Sequence, residues 1–218
     1  MKLTPETLDI IKNFSQINPS LLFKKGNVLS TISSNKTILA KAKLNQEFED
    51  EFGIFELSKF MGVLNLFKDP DIQTSPTVLK IKSDNKTIRY TCADPKNFSV
   101  PPDKEIRMKS VDVQFTLEPE VFASVQKAIA ILGFSQFGIV GSEGKLSLQA
   151  MNTANPTGDV YSVEIGVTDK NFMITIRNDF LKLIPGKYEV KISKAGLSMF
   201  EGEFVTYWIP VEETSTFE

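Results

Sequence analysis

Histidine is absent from this chain, and Cys92 is its only cysteine. Those two absences remove Cys/His zinc clusters, disulfide frameworks and histidine-based triads at once. A lone thiol without an imidazole to activate it reads as a small hydrophobe, and the serines and threonines lack a histidine base for the same reason. Long apolar runs are also missing: no window approaches the ~18 consecutive apolar residues of a membrane span. The opening Met1-Lys2-Leu3-Thr4-Pro5-Glu6 has no apolar stretch of the signal-peptide kind. The expectation is a soluble protein of a reducing compartment, with no membrane partner. Neither sign of charge dominates, since 25 basic residues face 27 acidic ones for a net charge of −2. Domains that grip nucleic acid are usually basic, so tight static binding is not expected, although a local basic surface can exist within an acidic protein.

What is present is an ordinary globular composition: 218 residues, 41% hydrophobic and 24% charged, enough for one large domain or two of about 100 residues each. Pro5 to Ile17 has a helical period, with Thr4 as N-cap, Pro5 in the first turn, and Leu8, Ile11 and Phe14 on one face. Strand-like runs follow at 20–24, 28–33, 37–43 and 51–55, then a helical stripe over Leu57–Phe67, and further strands at 71–74, 78–82 and 87–92. The stretch 94–110 holds three prolines among charges and reads as an extended connector.

The second half repeats that order. A strand at 111–117 leads to a helix over Pro119–Leu132, strands at 136–141, 145–151, 160–167 and 172–177, a short helix over Asn178–Ile184, and strands at 187–193, 197–201 and 204–211. Helix starts at Pro5 and Pro119, and at Leu57 and Asn178, are offset by 114 and 121 residues, close to half the chain. The pattern therefore predicts a duplicated α+β architecture with two helices and many antiparallel strands in each half. The expected boundaries are 1–108, with the connector from about 94, and 109–218.

Candidate chemistry is thin. Gly138 to Lys145 imitates a phosphate loop, but the glycine spacing is wrong and Leu146 stands where a magnesium-binding Ser or Thr belongs; a hairpin turn at Ser142-Glu143-Gly144 accounts for it. Carboxylates cluster at Glu47, Glu49, Asp50 and Glu51 and at Glu212 and Glu213. Neighbours along a strand or tail point apart, so solvated faces are expected rather than an acid–base or two-metal site. No catalytic residue, metal ligand or cofactor is assigned. On the helices, Lys12, Lys127 and Lys182 fall on polar faces and Lys59 at a margin. A solvent-facing lysine on an amphipathic helix is common. These gain meaning only if several helices face one object, and Asp9 and Glu120 near the same faces count against that.

The opening MKLTPETLDIIKNFSQIN, the connector beginning Ala93-Asp94-Pro95 and the ending FEGEFVTYWIPVEETSTFE resemble the sliding clamps of T4-type bacteriophages, over essentially the whole chain. The resemblance implies the sliding-clamp fold: two topologically similar domains with antiparallel sheets outside and two helices each lining the interior of a ring. Three subunits would close head to tail into a homotrimer around double-stranded DNA, independent of its sequence. The ring would be loaded by a clamp-loader ATPase, tether the replicative DNA polymerase, and serve late-transcription factors in the cytoplasm of the infected bacterial host. On that basis Lys12, Lys59, Lys127 and Lys182 are expected to face DNA. Phe98 and Val100, with Trp208, Ile209, Pro210 and Val211, are expected to bind a partner's hydrophobic peptide. Ile88 and Tyr90 would meet Tyr161 and Val163 at the subunit joint. The alternative is a β-rich, non-catalytic structural or interaction protein of a phage.

Overall fold

The computed structural model describes residues 1–155 and 157–217, and the chain divides into two compact units. The first comprises Met1–Glu105 with Phe204–Tyr207; the second comprises Ile106–Glu203 with the chain from Trp208 onward.

The first unit begins with helix α1 (Pro5–Phe14). Its start is fixed chemically: the Thr4 hydroxyl accepts from the Thr7 N–H at 3.2 Å, and Pro5 occupies a position whose N–H would lack an intrahelical partner. Ile10, Ile11 and Phe14 are buried, each worth about 1.5–3 kcal/mol when fully removed from water. Strands β1 (Leu21–Phe23), β2 (Gly26–Ile32), β3 (Leu39–Phe48) and β4 (Phe52–Ile54) follow, then helix α2 (Leu57–Leu64), then β5 (Asp71–Gln73), β6 (Val78–Ser83) and β7 (Lys86–Thr91). All pairings are antiparallel: β1 with β4, β2 with β3, and a three-stranded sheet in the order β5-β6-β7. Strand β3 alternates buried and exposed residues along most of its length, the period of a sheet with one covered face. Phe23 stacks on Phe52 at 4.6 Å and meets Phe48 edge-on at 5.1 Å, an aromatic cluster inside the unit. Phe204–Tyr207 lie beside β3, where Lys43 N donates to Phe204 O at 2.9 Å. The Tyr207 hydroxyl donates to buried Asn13 Oδ1 at 2.9 Å.

The second unit runs β8 (Val113–Leu117), α3 (Pro119–Leu132), β9 (Gln136–Ser142), β10 (Lys145–Met151), β11 (Tyr161–Val167), β12 (Phe172–Arg177), β13 (Tyr188–Ser193) and β14 (Leu197–Glu201). It ends with the latter part of β15 (Val205–Pro210) and with β16 (Thr216–Phe217). One sheet has the order β11-β10-β9-β12-β16; β8, β13 and β14 build another. Helix α3 buries Val125 and Ile129 and stops at Gly133, whose φ of 68° lets Phe134 N reach Ile129 O at 3.0 Å. The imitation phosphate loop is a two-residue hairpin: Ser142 pairs with Lys145, while Glu143 and Gly144 take φ of 54° and 79°.

The structure corrects the sequence reading at one helix. Asn178–Ile184 is not an α-helix: a 3-10 turn covers Asn178–Phe180, and Leu181 leaves helical space at φ −81°, ψ 63°. Ile184 precedes Pro185, which disfavours the helical region for it, and Leu181 and Leu183 are buried with half-buried Lys182 between them, an extended period rather than a helical one. Three α-helices therefore stand among the described residues. Strand β16, with two residues, carries too short a pattern to announce itself in sequence.

Candidate functional site

Lys12 on α1, Lys59 on α2 and Lys127 on α3 are all exposed, as are Asp9 and Glu120 on the same helices. Lys182 is half-buried and lies outside any helix, so its placement on a helical polar face is withdrawn. Between α1 and α2 runs a groove of about 520 Å³ lined by Lys2, Leu8, Lys12, Met61, Asn65 and Phe67 among others. Each of α1, α2 and α3 carries one exposed lysine, although α3 also exposes Ile131 and Leu132.

The proposed joint strands are outermost in their sheets. β7 ends the order β5-β6-β7, β11 begins the order β11-β10-β9-β12-β16, and among the described residues neither has a strand on its second edge. Ile88, Tyr90 and Val163 are half-buried and Tyr161 is exposed. Tyr90 packs edge-on against Phe60 at 5.5 Å, and burial raises its phenol above the ordinary range, helped by the nearby Glu56 carboxylate. The Tyr161 hydroxyl lies 2.5 Å from the Ser124 hydroxyl, tying the outer strand to α3.

Among the expected peptide-binding residues, Phe98 and Val100 are half-buried in the first unit. In the second unit Trp208, Pro210 and Val211 are half-buried, while Ile209 is fully buried, so its side chain has no open face. The Trp208 indole N–H is buried with no hydrogen-bond acceptor.

The connector is fastened to the first unit rather than loose. Ala93 N donates to Gly53 O at 2.8 Å, the amide of Asn18 donates to Ser99 O at 3.3 Å, and Lys24 pairs with Asp103. A Cβ at Gly53 would sit 2.5 Å from Ala93 O and 3.1 Å from the Phe98 ring, so only glycine admits this approach. Sequence reasoning passed over Asn18 and Gly53. A glycine between Phe52 and Ile54 was a usable signal, since glycine inside an apolar strand often marks close backbone approach; a buried asparagine carries no such mark.

Possible chemical centres do not assemble. Glu47, Glu49 and Glu51 are exposed; Asp50 accepts from Thr74 Oγ1 at 2.6 Å; Glu212 accepts from Gln136 Nε2 at 2.6 Å; Glu213 is exposed. Among the described residues no three or more carboxylates or thiols gather as a metal site, and no helix is long and apolar enough to cross a membrane. Burial pushes the Cys92 thiol up to about 11, keeping it protonated and unreactive near neutrality.

A family profile described as DNA polymerase processivity factor matches residues 4–96. The sliding clamp of Enterobacteria phage T4 is 29% identical over 229 residues, covering 99% of each chain. Among solved structures, the Helicobacter pylori beta clamp bound to a DNA ligase peptide superposes with a TM-score of 0.69 at 15% identity. It covers 97% of this chain, which spans only 64% of that longer one. The A. fulgidus PCNA bound to the C-terminal region of FEN-1 gives a TM-score of 0.69 at 11% identity, covering 96% of each chain. At such identities the solved structures establish the fold, that of sliding clamps. Processivity factors of this kind are non-catalytic. Matched over residues 4–96 by the processivity-factor profile and along nearly its whole length by phage sliding clamps, the chain is similar to the sliding clamps of T4-type bacteriophages.

Proposed function

We propose that the protein encircles duplex DNA as a homotrimer and tethers the replicative DNA polymerase to it. The observation that carries this reading is that each unit ends one sheet in a strand whose outer edge is unpaired among the described residues, β7 in the first and β11 in the second. Unpaired edges invite association. Pairing β7 of one copy with β11 of the next is a head-to-tail joint, and head-to-tail joints that close produce rings. A ring holds DNA by topology and needs few phosphate contacts. Sparse lysines on the helices suit sliding, because each phosphate neutralised adds about 0.9 to the salt slope and many would grip.

The finer parts of the reading follow from clamps of this kind. An ATP-driven clamp loader opens and places the ring. The polymerase docks a short hydrophobic peptide at the connector. Late-transcription factors use the same docking chemistry, and the protein works in the cytoplasm of the infected bacterium. Light scattering at high protein concentration should give a trimer mass, and addition to the cognate polymerase on primed circular DNA should lengthen products. A strictly monomeric mass together with unchanged product length overturns the proposal in favour of a structural or interaction protein.

A further inference from the structure

We infer that Asn18 is the positioning residue that sets the connector in the place where it receives a partner peptide. The inference rests on the docking reading above and adds a residue to it. Asn18 is 3% exposed, and its backbone N–H and both side-chain polar atoms are hydrogen-bonded. Its backbone N–H donates to Phe14 O at 2.9 Å at the end of α1, its Oδ1 accepts from Ser20 N at 2.9 Å, and its Nδ2 donates to Ile32 O at 2.8 Å at the end of β2. Two side-chain bonds and one backbone bond thus fix the residue to the body of the first unit. The remaining N–H of the same amide reaches Ser99 O at 3.3 Å in the connector.

A packing role alone would not select this residue. Burying an amide costs free energy unless each of its groups finds a partner, and an apolar side chain would fill the space at lower cost. What the planar amide does is present two donors on one nitrogen, joining a β-strand carbonyl and a connector carbonyl.

The place of that second bond matters. Phe98 is extended, at φ −148° and ψ 165°, and in an extended chain the side chains of 98 and 100 share a face opposite that of 99. Holding the carbonyl between them decides how Phe98 and Val100, both half-buried, are presented. Gly53 supplies the complementary constraint, its missing side chain leaving room for Ala93 O and the Phe98 ring. Asn18 sets the height of the connector and Gly53 its closeness. A connector already placed spares the incoming peptide the cost of ordering it.

The test compares wild type, Asn18→Asp, Gly53→Ala and the double variant as full chains. Asn18→Asp keeps the acceptor for Ser20 N and loses both donations. Asn18→Ser, whose hydroxyl is too short to span both carbonyls, replaces it if the aspartate variant does not fold. The probe is a fluorescein-labelled peptide copied from the C-terminus of the polymerase encoded by the same genome, followed by anisotropy. Hydrogen exchange over residues 94–104 reports the connector, and the Leu57 amide, which donates to Pro19 O at 2.7 Å, reports the neighbouring body. If loosening leaves the connector correctly placed about a tenth of the time, apparent affinity falls about tenfold. The expected result is that loss, with faster connector exchange, an unchanged Leu57 amide, and a double variant little worse than either single one, as for two residues acting on one element. Faster connector exchange with unchanged affinity overturns the role of Asn18, as does strict additivity of the two variants. Wild-type protein that ignores the peptide overturns the docking reading itself, and this role with it.

Discussion

The two units bury similar apolar sequences by different means. In the first, Leu57, Phe60 and Leu64 are buried at helical spacing by α2. In the second, the corresponding segment buries Leu181 and Leu183 at a spacing of two, and the Tyr188 hydroxyl donates to Ile184 O at 2.5 Å where a further helical turn would otherwise satisfy that carbonyl. Asp179 is drawn back to Arg177 at 2.7 Å, and the same guanidinium sits 4.8 Å from the Phe180 ring. A segment of seven residues that ends against a proline cannot repay the cost of a helical nucleus, so its apolar side chains are buried from an extended backbone. The difference teaches that equal hydrophobic content at equal position in a duplication does not require equal secondary structure. It also leaves the first unit with two α-helices and the second with one.

That asymmetry can be broken most directly through charge. Lys12→Glu and Lys59→Glu in the first unit, and Lys127→Glu in the second, should each impair retention on DNA. Stability should change by no more than about 0.5 kcal/mol, as is usual at exposed positions. Each phosphate-contacting lysine removed should lower the salt slope of retention by about 0.9. Lys182→Glu should have a smaller effect on DNA, because Lys182 is half-buried and off any helix. Exposed Lys80 on β6 is the control; Lys191 is unsuitable because it pairs with Glu201 at 2.8 Å. Equal loss from Lys80→Glu in a processivity assay would mean that the lysines set only overall charge.

The legibility of the sequence followed how local each cause was. Helix α3, hairpin β9–β10 and strand β12 are set by neighbours in sequence: Pro119 and Gly133 bracket the helix, Glu143-Gly144 make the turn, and Phe172–Arg177 pack as one strand. Helix α2 ran shorter than its stripe suggested, because Asn65 caps it before Phe67. The second unit's missing helix was hidden because an apolar run of that length suits either period. Exposed lysines could be read from helical faces; the connector's anchorage could not. Asn18 and Ser99 are distant in sequence, and their bond exists only after α1 and β2 have packed.

A smaller effect separates the two helix-associated glycines. Gly62 lies within α2 with open space where a Cβ would stand, whereas Gly133 ends α3 at φ +68°. Gly62→Ala should stabilise by about 0.5–1 kcal/mol, because glycine is entropically costly inside a helix. Gly133→Ala should destabilise by about 1 kcal/mol or more, since a side chain is strained in left-handed space. Urea midpoints at constant m-value would measure both, and shifts of the same sign would show that the two glycines do not play these different parts.

The smallest effect uses the fact that Cys92 is the only thiol, so its chemistry reports the first unit alone. Burial raises the folded thiol's pKa to about 11, and burial foremost raises Tyr90 in the same direction. A raised folded pKa means that the folded state holds its proton more tightly than the unfolded chain does. The associated stability is therefore fully present below the unfolded thiol value and is lost as pH rises through about 11. Thermal midpoints followed from neutral pH into that alkaline range should decline, and Cys92→Ala should remove the thiol's share while Tyr90 retains its own. At neutral pH a thiol reagent should label Cys92 more slowly than a free cysteine, because little thiolate is present and the sulfur is half-buried. Gly62→Ala, which stabilises the helix of the same unit, should slow labelling further wherever it proceeds through opening of that unit. Labelling as fast as that of a free cysteine in the folded protein would show that burial does not protect the thiol, and the alkaline decline would then have to come from Tyr90 alone.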